Sequence, residues 1–192
     1  MQVEPSTGPD HEFQGVMMIA SLMAVSARTA PKGKGKDTIL TRILSGEDLR
    51  RLADEMVSIG ENTGIPPFPR DAQNIRESAV CVLIGCKGTE DLGLNCGGCG
   101  YSTCKEMREK VMYSPVKGLY TGPNCVIKMA DLGIATGSAA KTAQIHNADN
   151  RILFTAGVAA LSLDLLPECT CAYGIPLSAT GKNIFFDRKI TS

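Results

Sequence analysis

The chain of 192 residues carries 20 Lys+Arg against 20 Asp+Glu, a formal net charge of +0 and a pI of about 6.7. That balance leaves no electrostatic footprint for a nucleic acid. No apolar run reaches the ~18 residues of a membrane span, and the N-terminus lacks the basic and apolar regions of a signal peptide.

Eight cysteines without an export signal imply metal or redox chemistry in a reducing compartment, the cytoplasm, rather than a disulfide framework. Residues 1–10 are polar, with Pro5, Gly8 and Pro9, and read as a mobile tail ahead of a single domain, 11–192. From 11 to about 28, Val16, Met17, Ile19, Ala20, Leu22, Met23 and Val25 give a mostly apolar helix. The basic loop 30–37 follows, with Lys32, Lys34 and Lys36 spaced by Gly33 and Gly35. It offers charge and accessible N–H groups to a phosphate but lacks the spacing of a Walker motif; a solvated loop explains it as well.

Residues 38–44 read as a short strand. Ser45-x-x-Asp48 reads as a capping box opening a helix over Leu49, Leu52, Ala53, Met56 and Val57, with Gly60 past its end. Prolines 66, 67 and 69 imply a rigid extended connection. The continuous apolar run 78–85 predicts a buried strand, and Cys81 within it is a small core residue.

Next comes Cys96-Gly97-Gly98-Cys99-Gly100-Tyr101-Ser102-Thr103-Cys104, with Cys125 as fourth partner about twenty residues on and Cys86 in reserve. Three thiolates on one glycine-rich loop suit an iron–sulfur cluster, whose ligands must converge on a cube a few ångströms across. The glycines accept positive φ and let N–H groups approach the sulfurs. A four-cysteine zinc site and unligated cysteines are the competing readings, but zinc usually takes two Cys-x2-Cys pairs and only one is present.

These residues, from Leu94 to Cys104 and then Gly122-Pro123-Asn124-Cys125, resemble the small four-cysteine [4Fe-4S] domain of the corrinoid iron–sulfur protein and of the Rnf B subunit. The whole chain resembles the ferredoxin domain-containing family, in which that motif sits inside a larger domain. The insertion spans 86–125. The resemblance implies one [4Fe-4S] cluster ligated by Cys96, Cys99, Cys104 and Cys125.

A charged helix from 103 to 113, a loop from 114 to 123, a helix from 124 to about 147 and a second from 151 to 165 come next. The last two are rich in small residues and suit a tight helix pair or a dimer seam. His146, near a helix end, is explained by helix-terminal interactions. Residues 170–178 read as a strand, with Cys169 and Cys171 on one face; 181–183 form a turn, and 184–187 a last strand. The order gives an α+β fold of three-layer type with the cluster loop inserted after the first central strand.

At that coarser level the chain resembles flavin-dependent nitroreductases. Ala27-x-x-Ala30-Pro31 and Asp48-Leu49-Arg50-Arg51-Leu52-Ala53 are similar to that family's early flavin-binding loop and following helix. Asp131-Leu132-Gly133-Ile134-Ala135 and Tyr173-Gly174-Ile175-Pro176-Leu177 are similar to its later part. This second resemblance implies a homodimer with FMN at the subunit interface, Lys32, Lys34, Lys36 and Arg188 standing in for the phosphate anchor. The family's Arg-x-Ser-x-Arg anchor is missing, and its Asn-x-Gln-Pro-Trp segment is replaced by Gly33-Lys34-Gly35-Lys36-Asp37.

Three functions compete. One is an iron–sulfur electron carrier serving a redox partner protein. The second is a nitroreductase-like oxidoreductase whose FMN is fed by the cluster. The third is a binding module that the metal merely holds together.

Overall fold

Every residue of β2 (Val80–Cys86) is buried, because this strand is covered on both faces. In the computed structural model, which describes residues 9–186, it lies inside a four-stranded sheet ordered β1-β2-β6-β5. Its partners are β1 (Ile39–Ser45) and β6 (Cys171–Ser178), both antiparallel, and β5 (Asp149–Asn150) closes the far edge against β6. Alternation sends successive side chains of β2 to opposite layers. Val80, Val82, Ile84 and Cys86 meet α1 (Pro9–Thr29) and α5 (Val126–Ile145) through Ala20, Met23, Leu132 and Ala135. Cys81 and Leu83 meet α2 (Glu47–Thr63), α3 (Pro67–Glu77) and α6 (Phe154–Ser162) through Leu52, Met56, Phe68, Ile75 and Ala159. The three-layer α+β architecture is as expected.

Small residues set the closeness of the layers. A Cβ on Gly157 of α6 would lie 1.9 Å from the carbonyl oxygen of Ala172 in β6, so the helix rests directly on the strand backbone.

Several local expectations are corrected. The helix at 47 starts from Gly46, in a left-handed φ of 56°, with no side-chain cap, so Ser45 belongs to β1 and forms no capping box. Gly60 lies inside α2 and is buried, a Cβ there falling 2.9 Å from that of Phe68, and the helix ends instead at Gly64, φ 69°. Pro67 begins α3 rather than an extended connection, since proline fits the first helical turn, where its missing N–H costs nothing. The second small-residue helix is shorter than 151–165, covering only α6. Residues 184–186 form a turn, not a strand. Cys169 precedes β6 and packs with the α2/α6 layer, whereas Cys171 faces α1 and α5, so the two do not share a face. Arg188 and residues 1–8 lie outside the described residues.

After β2 the chain leaves the sheet and returns at α5. On the way it forms α4 (Cys104–Tyr113) and a hairpin, β3 (Val116–Lys117) with β4 (Thr121–Gly122), inside the stretch expected to be loop. Three bonds fasten this excursion: Cys125 N–H to Gly88 O at 2.8 Å, Thr121 N–H to Thr170 O at 3.3 Å, and Tyr120 Oη to Ala172 O at 2.8 Å.

Candidate iron–sulfur site

The motif loop is wound by left-handed residues: Asn95 at φ 47°, Gly97 at 72° and Gly100 at 88°. Gly100 N–H closes a turn onto Gly97 O at 2.9 Å. Helix α4 then starts abruptly, because Thr103 Oγ1 accepts from Glu106 N–H at 3.2 Å and Glu106 Oε2 accepts from Ser102 N–H at 3.2 Å, a near relative of the capping box. Cys104 is therefore the first residue of α4, and Cys125 is the N-cap of α5. Helix N-termini present unpaired N–H groups and partial positive charge, which favour thiolates.

Cys96 is exposed, Cys99 and Cys104 are half-buried, and Cys125 is buried. A Cβ on Gly98 would stand 2.5 Å from Val126 Cγ1, so the middle of the motif loop lies against the residue next to Cys125. The motif loop and the start of α5 are thus in contact, while among the described residues no three His, Cys, Asp or Glu side chains are grouped closely enough to hold a metal ion as folded here. Beside them, the Asp91 carboxyl stays below the usual range: burial pushes it up, but Arg108 and the Gly93 N–H outweigh that.

The other four cysteines are chemically different. Burial pushes the Cys81 and Cys169 thiols up to about 12 and Cys86 to about 11, and raises Cys171 as well. At these four positions burial favours the protonated thiol over the thiolate. Cys86, the reserve ligand, is occupied with Thr38 Oγ1 at 3.4 Å and Lys128 O at 3.5 Å. The donor chemistry of Cys96, Cys99, Cys104 and Cys125, with two helix starts and a glycine-wound loop, fits an iron–sulfur cluster.

The lysines of the basic loop each turn to a different partner. Lys32 Nζ caps the end of α1 at Ala27 O and Arg28 O, both 2.6 Å; Lys34 Nζ donates to Leu92 O at 3.1 Å; Lys36 pairs with Glu90 at 3.0 Å. The loop itself is held by Asp131, at the head of the segment similar to the later part of nitroreductases, and by Lys128, to which the sequence assigned no role. Asp131 accepts from Gly33 N–H at 2.9 Å, and the fully buried Lys128 donates to Lys36 O at 2.5 Å. Their i,i+3 spacing in an apolar helix was the available signal.

Together the layers and the loop define a three-layer α+β fold that carries a cysteine-rich excursion between β2 and α5. Over 86% of this chain the fold matches nitroreductase A from Vibrio parahaemolyticus, at 10% identity and TM-score 0.51, though the chain spans only 60% of that protein. It also matches an oxidoreductase containing FMN, at 11% identity and TM-score 0.55, over 94% of this chain and 80% of the other. A further match is the FMN and NADPH-dependent nitroreductase NfnB of Sphigopyxis sp. strain HMH, at 12% identity and TM-score 0.53, over 97% of this chain and 87% of the other. At such identities the likeness is one of fold.

Residues 93–114 match a family described as "Putative Fe-S cluster", and residues 121–188 match one described as an uncharacterized protein containing a ferredoxin domain. An uncharacterized protein from Archaeoglobus fulgidus is 42% identical over 180 residues, 93% of this chain and 95% of that protein. The chain belongs to this family of ferredoxin-domain proteins. The matches support an iron–sulfur cofactor and a redox function in general. Among the described residues no helix is long and apolar enough to cross a membrane.

Proposed function

We propose that the protein is a cytoplasmic electron carrier with one [4Fe-4S] cluster held by Cys96, Cys99, Cys104 and Cys125, serving a redox partner protein. The observation that carries this reading is the seating of Gly98 against Val126, which brings the three-cysteine loop to the helix start occupied by Cys125. When bound, such a cluster takes up and releases one electron at a time. The chain supplies thiolates, N–H donors toward sulfur and an exposed loop tip at Cys96 through which a partner approaches.

A second reading, an FMN-dependent oxidoreductase fed by the cluster, is favoured by the fold shared with an FMN-containing oxidoreductase. It requires a homodimer. Exposed Met18, Leu22 and Val25 on α1 and Ile134 on α5, with open space at Gly133 and Gly137, offer a face for a second copy. The three lysines, each turned to its own partner, do not form a ready phosphate cradle, which places the carrier first.

An anaerobic absorption spectrum with iron and sulfide analysis tests both. A broad band near ~400 nm with about four irons per chain is expected, lost in Cys125→Ser and kept in Cys171→Ser. Added flavin bands, with a dimer in sedimentation, would promote the second reading. A colourless protein containing zinc would overturn both and leave a metal-stabilised binding module.

A further inference from the structure

The loop that leads into the motif is fastened to α4 before it reaches Cys96. The Asp91 side chain, only 6% exposed, is ion-paired with Arg108, one turn along α4 from Cys104, and accepts from Gly93 N–H at 2.7 Å. Gly93 then turns at φ 65° and Asn95 at φ 47°. Asparagine tolerates that left-handed conformation better than most residues.

So placed, Asn95 makes two bonds to a single residue. Its Oδ1 accepts from Cys104 N–H at 2.9 Å, and its own backbone N–H donates to Cys104 Sγ at 3.4 Å. The first satisfies one of the orphan donors at the start of α4. The second lends a donor to sulfur, an interaction that in iron–sulfur sites stabilises the more negative, reduced state. Cys96, Cys99 and Cys125 have no such hydrogen-bonded partner among the side-chain bonds of the described residues, so Cys104 is the cysteine whose sulfur is held in advance.

We propose that Asn95 is the positioning residue for Cys104, fixing its sulfur for iron and raising the reduction potential of the loaded site through its N–H donor. This rests on the cluster reading above. The role is indirect: Asn95 holds a ligand and supplies none.

The test uses the full chain, reconstituted anaerobically with iron and sulfide, as wild type, Asn95→Ala, Asn95→Asp and Asn95→Gly. Three quantities are read: iron per chain, the rate of iron release to a chelator, and the midpoint potential in a redox titration followed by absorbance. Loss of an outer-shell partner typically weakens metal binding roughly 10- to 100-fold. Asn95→Ala keeps the backbone N–H but loses the carboxamide and the ease in the left-handed region that aim it at Cys104, so it should release iron at least ~10-fold faster and, as the N–H turns from the sulfur, be harder to reduce. Asn95→Asp keeps an acceptor oxygen and tolerates positive φ, and should restore slow release. If Asn95→Ala does not fold, Asn95→Gly, which keeps the backbone and deletes only the carboxamide, carries the same expectation for release. Variants that match the wild type in release rate and potential overturn the role of Asn95 while leaving the cluster intact. A wild type that takes up no iron overturns the cluster reading and this inference with it.

Discussion

Lys128 and Asp131 form an ion pair sealed from solvent on one turn of α5, with 3.1 Å between Nζ and Oδ2 and side chains 0% and 4% exposed. Their remaining bonds reach Lys36 O and Gly33 N–H, so the pair stitches the basic loop to the helix that begins at Cys125. Removing one member strands the other's charge in the core. Asp131→Ala should therefore cost ~3–5 kcal/mol of stability, whereas replacing both with apolar residues of similar volume should cost far less. Denaturant unfolding of the apo-protein checks this. Equal losses in the single and double variants would show that the pair is not energetically coupled.

The seating of the motif loop on α5 gives a second expectation. The residue met by a Cβ on Gly98 is Val126, at the first turn of a helix, whose branched Cβ itself stands 3.3 Å away. Gly98→Val should lift the loop from Cys125, an overpacking cost of ~1–3 kcal/mol, and lower the iron retained per chain. Shortening the neighbour, as Val126→Ala in the same chain, should recover much of it. Iron analysis after desalting separates the cases, and a Gly98→Val protein with full iron would show that the contact does not hold the loop.

The long strands β1, β2 and β6 and the helix α1 were legible because their signals are local. The run 78–85 could only be a strand buried on both faces, and α1 announces itself by period. The cysteine motif was equally plain, since ligand spacing lies within a few residues. Hidden parts depended on distant partners or on ambiguous residues. Pro67 serves an extended segment or a helix start equally well, and only the spacing of Phe68, Ala72 and Ile75, all buried in α3, decides between them. Cys169 was assigned to the face of Cys171 because the start of β6 could not be read to the residue. The burial of Lys128 left no local trace, since the groups that make it tolerable include a carbonyl 92 residues away in sequence. The contact of Gly98 with Val126 is likewise tertiary and left no local trace.

At the interface of α6 with β6, Gly157 has no slack. Any Cβ there would overlap the carbonyl oxygen of Ala172, at 1.9 Å, and backbone cannot rotate away as a side chain can. Gly157→Ala should cost more than the ~1–3 kcal/mol of ordinary overpacking, even though alanine is the better helix former by ~1 kcal/mol. Gly137→Ala in α5, where a Cβ meets nothing within 4 Å, is the control and should be neutral or slightly stabilising as a monomer. Thermal unfolding of the two variants should diverge sharply, and a stable Gly157→Ala would mean that the helix slides on the sheet.

The buried thiols make stability fall in alkali, with a sign fixed by the direction of their shifts. Cys81 is raised from 9.0 to about 12 by burial, so between those values the folded chain holds a proton that the unfolded chain has released. Its contribution is complete below about pH 9 and is lost progressively as pH climbs toward 12, since stability falls wherever the native state binds more protons. The slope per group is at most ~1.4 kcal/mol per pH unit. Cys81→Ala removes the ionisable thiol at modest cost in packing, and its stability should decline less steeply than that of the wild type between pH 9 and 11. Unfolding free energies of the apo-protein in that window, measured under reducing conditions, decide the matter: parallel slopes for Cys81→Ala and wild type would show that the thiol reaches water before the fold gives way.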